Sequence, residues 1–248
     1  MLPVLFEIGQ FKVYSFGIMV VLAFGICYLL ARREFAKYGI RDAKINQLFA
    51  IVAIAGFFGA KMLYLVENSP AEYLSIGQTL FFKSGFSWYG GFFCAGIFGI
   101  YYLSQLQLRL AVSLDILVPL VLLGYAVGRI GCQLAGDGDY GPPSEMPWAM
   151  AYPAGIIPVF EPVHPTPVYD TLISSLFFIP IWYRKKPMPI GRTTVLSLIA
   201  LGCTRFVTEF FRNTPVIAWG WFRVAHGLSI LLIILAFTYF WILQKEAH

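Results

Sequence analysis

The chain has 248 residues, 58% hydrophobic and 12% charged, with a mean hydropathy of +0.72 and a formal net charge of +5. Soluble domains carry roughly 25% charged residues, so this balance excludes an ordinary soluble enzyme and indicates a polytopic membrane protein. No basic cluster is interleaved with aromatics, so no nucleic-acid partner is expected, and the small positive excess reads as membrane anchoring.

At about 20 residues per span, such a chain holds roughly six to eight membrane helices and no separate soluble domain. Residues 1–248 are therefore expected to form one integral membrane domain. Met1 to Gln10 carries Pro3 and Glu7 but no basic residue, so no cleavable signal is expected. Cys27, Cys94, Cys132 and Cys203 are scattered without CxxC spacing, and His164, His226 and His248 lack ligand spacing. Neither a disulfide framework, a metal site nor a cofactor is expected.

In chain order, the apolar runs predict helices at about 13–31, 45–66, 88–105, 113–134, 167–183, 193–211 and 222–243, an all-α fold of about seven spans. Glycines recur within them at Gly56, Gly59, Gly90, Gly91, Gly96, Gly124, Gly128 and Gly131. Close helix packing accounts for most of these.

The basic residues set the orientation. Arg32, Arg33, Lys37, Arg41, Lys44, Arg109, Arg184, Lys185, Lys186, Arg192 and Lys245 fall in alternate loops, which are therefore expected to be cytoplasmic. The opposite loops hold Glu67, Glu72, Asp137, Asp139, Glu145 and Glu161. This places the N-terminus outside and the C-terminus inside.

That orientation gathers costly residues at one depth. Lys61, Arg129, Arg205 and Glu209 lie late in outward-running helices, Tyr89 and Asp170 lie early in inward-running ones, and His164 precedes its helix on the outside. The middle and inner parts carry almost no charge, Asp115 being the main exception. An arginine near the bilayer centre costs at least ~2.5 kcal/mol on insertion scales, so its default reading is functional.

Arg205 and Glu209 are four apart on one helix face, either a self-neutralising structural pair or part of a site. Arg129 has no such local partner and needs a carboxylate from another helix or an anionic ligand. The planar guanidinium suits phosphate, so these arginines with Lys61 suggest a phospholipid headgroup; the alternative for Lys61 is snorkelling to the interface. The loop from Ala135 to Gly141, with Gly136, Gly138 and two aspartates, is either an anion cradle or a turn. Pro142, Pro143, Met146, Pro147 and Trp148 suggest a segment lying at the interface, and His164-Pro165-Thr166-Pro167 starts a helix.

Taken in order, these residues resemble the prolipoprotein diacylglyceryl transferase family over nearly the whole chain. Gly128-Arg129-Ile130-Gly131 looks like the start of the family signature. Gly17-Ile18-Met19, Gly59-Ala60-Lys61-Met62-Leu63-Tyr64 and Gly85-Phe86-Ser87-Trp88-Tyr89-Gly90-Gly91 are similar to further family runs. So are His164-Pro165-Thr166-Pro167-Val168-Tyr169-Asp170 and Arg205-Phe206-Val207-Thr208-Glu209-Phe210-Phe211-Arg212.

The resemblance implies a seven-span enzyme of the bacterial inner membrane, with its active site toward the periplasm. Such an enzyme moves the diacylglyceryl group of phosphatidylglycerol to the lipobox cysteine of a preprolipoprotein signal peptide and releases glycerol phosphate. By that resemblance Arg129 and Arg205 hold the lipid phosphate, Glu209 orients Arg205, and Lys61, Gly128, Gly131 and Gly136 lie at the lipid site.

The chain departs from the family pattern in several places. Tyr89 stands where the family has a histidine proposed as the base, and a phenol is a poor base at neutral pH. Cys132 and Ala135 replace asparagines, Asp137 takes an acidic position in a lengthened loop, and Phe16 and Leu201 replace tyrosines. The base would then be Asp137, Asp139 or His164, or the thiol would ionise in the arginine field unaided. Two alternatives stand beside the family reaction. One is a related transferase using the same lipid with another acceptor; the other is a non-catalytic phospholipid-binding membrane protein.

Overall fold

The computed structural model describes residues 1–9, 11–68, 87–184, 188–218 and 220–246. Glu72, Gly85, Phe86, Lys185, Lys186 and His248, all used in the sequence reading, lie outside the described residues. Seven helices are present among those described: α1 (Ser15–Ala36), α2 (Asp42–Asn68), α3 (Trp88–Ser104), α4 (Leu110–Ala135), α5 (Thr166–Arg184), α6 (Arg192–Glu209) and α7 (Val224–Glu246). Each overlaps a predicted helix. Four of them, α1, α2, α4 and α7, are long and apolar enough to cross a membrane; α3 is apolar but shorter.

The fold is mostly helical, consistent with the all-α expectation, with short strands added in two places. Two antiparallel hairpins accompany the helices: β1 (Val4–Ile8) with β2 (Phe11–Tyr14), and β3 (Met150–Tyr152) with β4 (Val159–Val163). The second hairpin occupies the connection between α4 and α5, where Pro143 also bridges to Val163.

The chain divides into two compact units, one of Met1–Ala31 with Leu114–His248 and the other of Arg32–Ser113. In the first unit α6 and α7 run antiparallel in close contact. Gly202 makes this possible, because a Cβ there would lie 2.8 Å from Ile233 and 3.0 Å from the Ser229 carbonyl. Leu122 of α4, Ile181 of α5 and Ala200 of α6 form a buried apolar cluster. Thr171 of α5 donates to the Ala126 carbonyl of α4 at 3.1 Å, and Cys27 of α1 reaches the Leu120 carbonyl at 3.2 Å. All four cysteines are free thiols.

Asp115, the charge that stood apart in the sequence, has a structural partner. Its carboxylate accepts the backbone N–H groups of Gly191 at 2.5 Å and Thr194 at 2.8 Å, and the Thr194 hydroxyl at 2.7 Å. It therefore caps α6 from a neighbouring helix, satisfying amides that a helix start leaves open.

In the second unit α2 and α3 approach backbone to backbone. A Cβ on Gly90 would lie 2.6 Å from Leu63, and one on Gly91 would lie 3.1 Å from the Gly56 carbonyl. Tyr102 donates to Gln47 at 2.8 Å across the same pair. Arg32 pairs with Asp42, and Lys37 with Glu34 at 2.5 Å.

Candidate functional site

The first unit concentrates three guanidiniums and three carboxylates at one end of α6. Arg129, near the end of α4, approaches Asp170 at 2.8 Å through Nε and pairs with Asp139 through Nη2. Its guanidinium lies 5.7 Å from the Tyr125 ring centre, one helical turn back. Asp170, in the second turn of α5, is fully buried. It also accepts from Arg212 Nη2 at 2.5 Å and lies 4.0 Å from Arg205. Arg212 pairs with Asp139 as well, and its Nε stands 3.7 Å from Glu209.

Glu209 is buried and serves several donors at once. Oε2 accepts from Arg205 at 2.9 Å, Oε1 accepts from Thr214 at 2.5 Å, and its backbone carbonyl accepts from Arg223. Arg205 also reaches the Tyr125 hydroxyl at 3.4 Å. The need that the sequence left open for Arg129 is thus met by carboxylates from the following loop and from α5. Buried charges of this kind persist only when paired.

Two members of the cluster remain accessible: the Arg205 side chain is 27% exposed and that of Asp139 is 29% exposed. An anion would approach between them. Burial, reinforced by Arg129, pulls the Arg212 guanidinium down to about 10. It stays protonated at neutral pH. Asp170 Oδ1 and Arg212 Nε, both buried, have no hydrogen-bond partner among the described residues.

The loop carrying Asp139 is fixed at several points. Gly136 ends α4 with φ +60, its N–H on the Cys132 carbonyl at 2.9 Å. Positive φ there is the usual glycine helix stop. A Cβ on Gly136 would meet Gly155 at 2.6 Å, and one on Gly131 would meet Met19 at 3.0 Å. Packing therefore accounts for both glycines, while Gly128 has open space where its Cβ would lie.

Asp137 Oδ1 accepts the Asp139 N–H at 3.3 Å, and Thr166 donates to the Asp139 carbonyl at 2.6 Å. Tyr140 stacks on Tyr152 with centroids 3.9 Å apart. Burial pushes the Tyr152 phenol up to about 12, so it stays a neutral donor to Gln133 at 2.9 Å.

The base candidates separate clearly. Asp139 is clamped by Arg129 and Arg212, and such stabilisation of the charged form weakens a base. His164 has Nδ1 3.0 Å from the Tyr169 hydroxyl, which also accepts from Trp148 at 2.8 Å, and its ring packs on Phe211 at 5.4 Å. Asp137 forms no ion pair among the described residues and lies beside the Cys132 thiol, which Arg129 Nη1 reaches at 3.4 Å.

Lys61 and Tyr89 belong to the second unit. Lys61 is 2% exposed, which contradicts snorkelling to the interface, and its ammonium lies 5.8 Å from the Tyr64 ring centre. The Ser87 N–H donates to the Ala60 carbonyl at 2.9 Å, so the segments carrying Lys61 and Tyr89 are adjacent.

Sequence reasoning placed Asp170 at the depth of the site without giving it a role, and left Arg212, Tyr125, Thr214 and Arg223 out. Spacing carried part of the missing signal. Arg205, Glu209 and Arg212 follow i, i+4, i+7, and Tyr125 precedes Arg129 by four.

The sequence profile of the prolipoprotein diacylglyceryl transferase family matches residues 3–242. The chain is 26% identical to the phosphatidylglycerol–prolipoprotein diacylglyceryl transferase of Pseudomonas putida, covering 96% of this chain and 92% of that protein. It is 27% identical to the enzyme of that name from Pseudomonas syringae pathovar syringae, over 98% of this chain and 94% of the relative. It is 30% identical to the one from Clostridium tetani, over 87% of each. Matching along almost its entire length, the chain belongs to the prolipoprotein diacylglyceryl transferase family.

Proposed function

We propose that this protein transfers the diacylglyceryl group of phosphatidylglycerol to the lipobox cysteine thiol of a preprolipoprotein signal peptide. The observation that carries the proposal is the buried network of Arg129, Arg205 and Arg212 on Asp139, Asp170 and Glu209, in a chain of this family. The whole chain acts as one integral membrane domain with seven spans in the bacterial inner membrane. Its N-terminus and active site face the periplasm and its C-terminus the cytoplasm, in keeping with the distribution of basic residues.

In the proposed reaction the cysteine sulfur bonds to the glycerol carbon of the diacylglyceryl group. The bond from that carbon to the phosphate oxygen breaks, and glycerol phosphate leaves. Arg205, steadied by Glu209, and Arg129 meet the charge that grows on the leaving phosphate. The thiol proton passes to Asp137, which is free of the arginine clamp, and from there to the released phosphate. Tyr89 is not the base in this scheme, and Gly128 borders the lipid headgroup.

The test uses purified protein in phosphatidylglycerol-containing detergent with a lipobox peptide. Glycerol phosphate release and peptide mass are followed together. A peptide carrying diacylglyceryl on its cysteine establishes the reading. Glycerol phosphate without modified peptide points to another acceptor. Neither product, from protein shown to be folded, refutes it. Arg129→Ala and Arg205→Ala should each abolish turnover while the protein still inserts; full activity in either removes that residue from the phosphate site.

A further inference from the structure

The far end of α6 carries a different feature. A cleft of about 430 Å³ lies there, lined by Met188, Arg192, Val195, Leu196, Phe237 and Phe240. Gly191 abuts Leu243 where its Cβ would stand, so the first turn of α6 lies beside the last turns of α7. The candidate site sits at the opposite end of α6, roughly 25 Å away at 1.5 Å per residue. That separation approaches the ~30 Å hydrocarbon thickness of a bilayer. The cleft is therefore at the other end of α6 and is no part of the arginine cluster.

Its setting is amphiphilic. α7 is apolar enough to cross a membrane, and its Phe237, Trp241 and Ile242 are exposed on the protein, as is Ile190 before α6. Lys245 lies 3.7 Å from the Trp241 ring centre, a cation on an aromatic ring of the kind that marks a membrane boundary. Arg192 is exposed at the mouth of the cleft and forms no ion pair among the described residues. The Gly191 and Thr194 amides are already taken by Asp115, so the bare helix start offers little to an anion. Any anion held here is held by the guanidinium. An apolar trough with a guanidinium at its boundary matches an acyl chain joined to a phosphate.

We propose that this cleft binds an anionic phospholipid from the leaflet opposite the candidate active site, its phosphate on Arg192 and an acyl chain between α6 and α7. Native mass spectrometry of the full chain counts bound lipids on the folded protein while phosphatidylglycerol or phosphatidylcholine is added. Wild type should hold phosphatidylglycerol at this position in preference to phosphatidylcholine. Arg192→Gln should weaken that binding about tenfold while transferase activity persists. Arg205→Gln should remove a different bound lipid together with activity, and the double variant should lose both. Unchanged phosphatidylglycerol binding in Arg192→Gln, or equal retention of the two lipids by wild type, overturns the proposal.

Discussion

Asp170→Asn is the perturbation that tests the charge network most directly. The carboxylate is fully buried and lies 2.8 Å from Arg129 and 2.5 Å from Arg212, with Arg205 at 4.0 Å. At 4 Å and an effective dielectric of about 20, a single pair of unit charges is worth ~4 kcal/mol. Neutralising one partner of a buried pair leaves the other uncompensated and costs ~3–5 kcal/mol. For a chain of this size each kcal/mol moves the melting temperature by about 2–4 °C, so the expected fall is about 6–20 °C. The assay is thermal unfolding in detergent, followed with a thiol-reactive dye on the free cysteines. Asp170→Glu keeps the charge and should recover part of the loss. A melt within about 2 °C of wild type refutes the reasoning. It would mean that Asp139 alone suffices to hold Arg129 and Arg212.

Further expectations concern single positions. Tyr89→Phe should leave appreciable transfer activity, and complete loss would return the phenol to the chemistry. Asp139→Asn should lower the KM for phosphatidylglycerol several-fold, because a carboxylate that competes for Arg129 and Arg212 is gone; a collapse of kcat instead would mark Asp139 as the base. Gly59→Ala places a Cβ 2.5 Å from the Cys94 Cβ and against the Gly90 carbonyl, and backbone cannot turn aside as a side chain can. Overpacking of this kind costs ~1–3 kcal/mol, readable as a lower melting temperature, and an unchanged melt would show that α2 and α3 can part cheaply.

The helices were legible because long apolar runs leave a chain few other options, and each run became a helix in nearly its predicted place. The hairpins were not. β1 and β2 lie in a stretch punctuated by Pro3 and Glu7, and β3 and β4 in one crowded with Pro and Gly, where no period of two stands out. Arg129, Arg205 and Glu209 could be singled out because a charge within an apolar run is conspicuous. Arg212 and Asp170 stand at helix ends, where charge is ordinary, and only tertiary packing reveals them as buried. Asp115 shows the same limit in reverse. It was conspicuous in the sequence, yet its partners lie in the first turn of α6, about 75 residues away.

The retained charges share the first unit with the altered Phe16, Cys132, Ala135, Asp137 and Leu201, and of the altered positions Tyr89 lies in the second. Arg129, Arg205, Glu209, Asp170 and Arg212 satisfy one another within the first unit. Tyr89, the substitution most at odds with the family pattern, sits in the second unit, on α3. In the proposed reaction, binding the phosphate and stabilising its departure belong to that cluster, whereas ionising the incoming thiol is a separate task. A guanidinium beside the incoming thiol favours its thiolate while burial opposes it, so the proton must be handed to an acceptor. In the proposed reaction the proton-transfer role therefore falls to Asp137 and not to position 89.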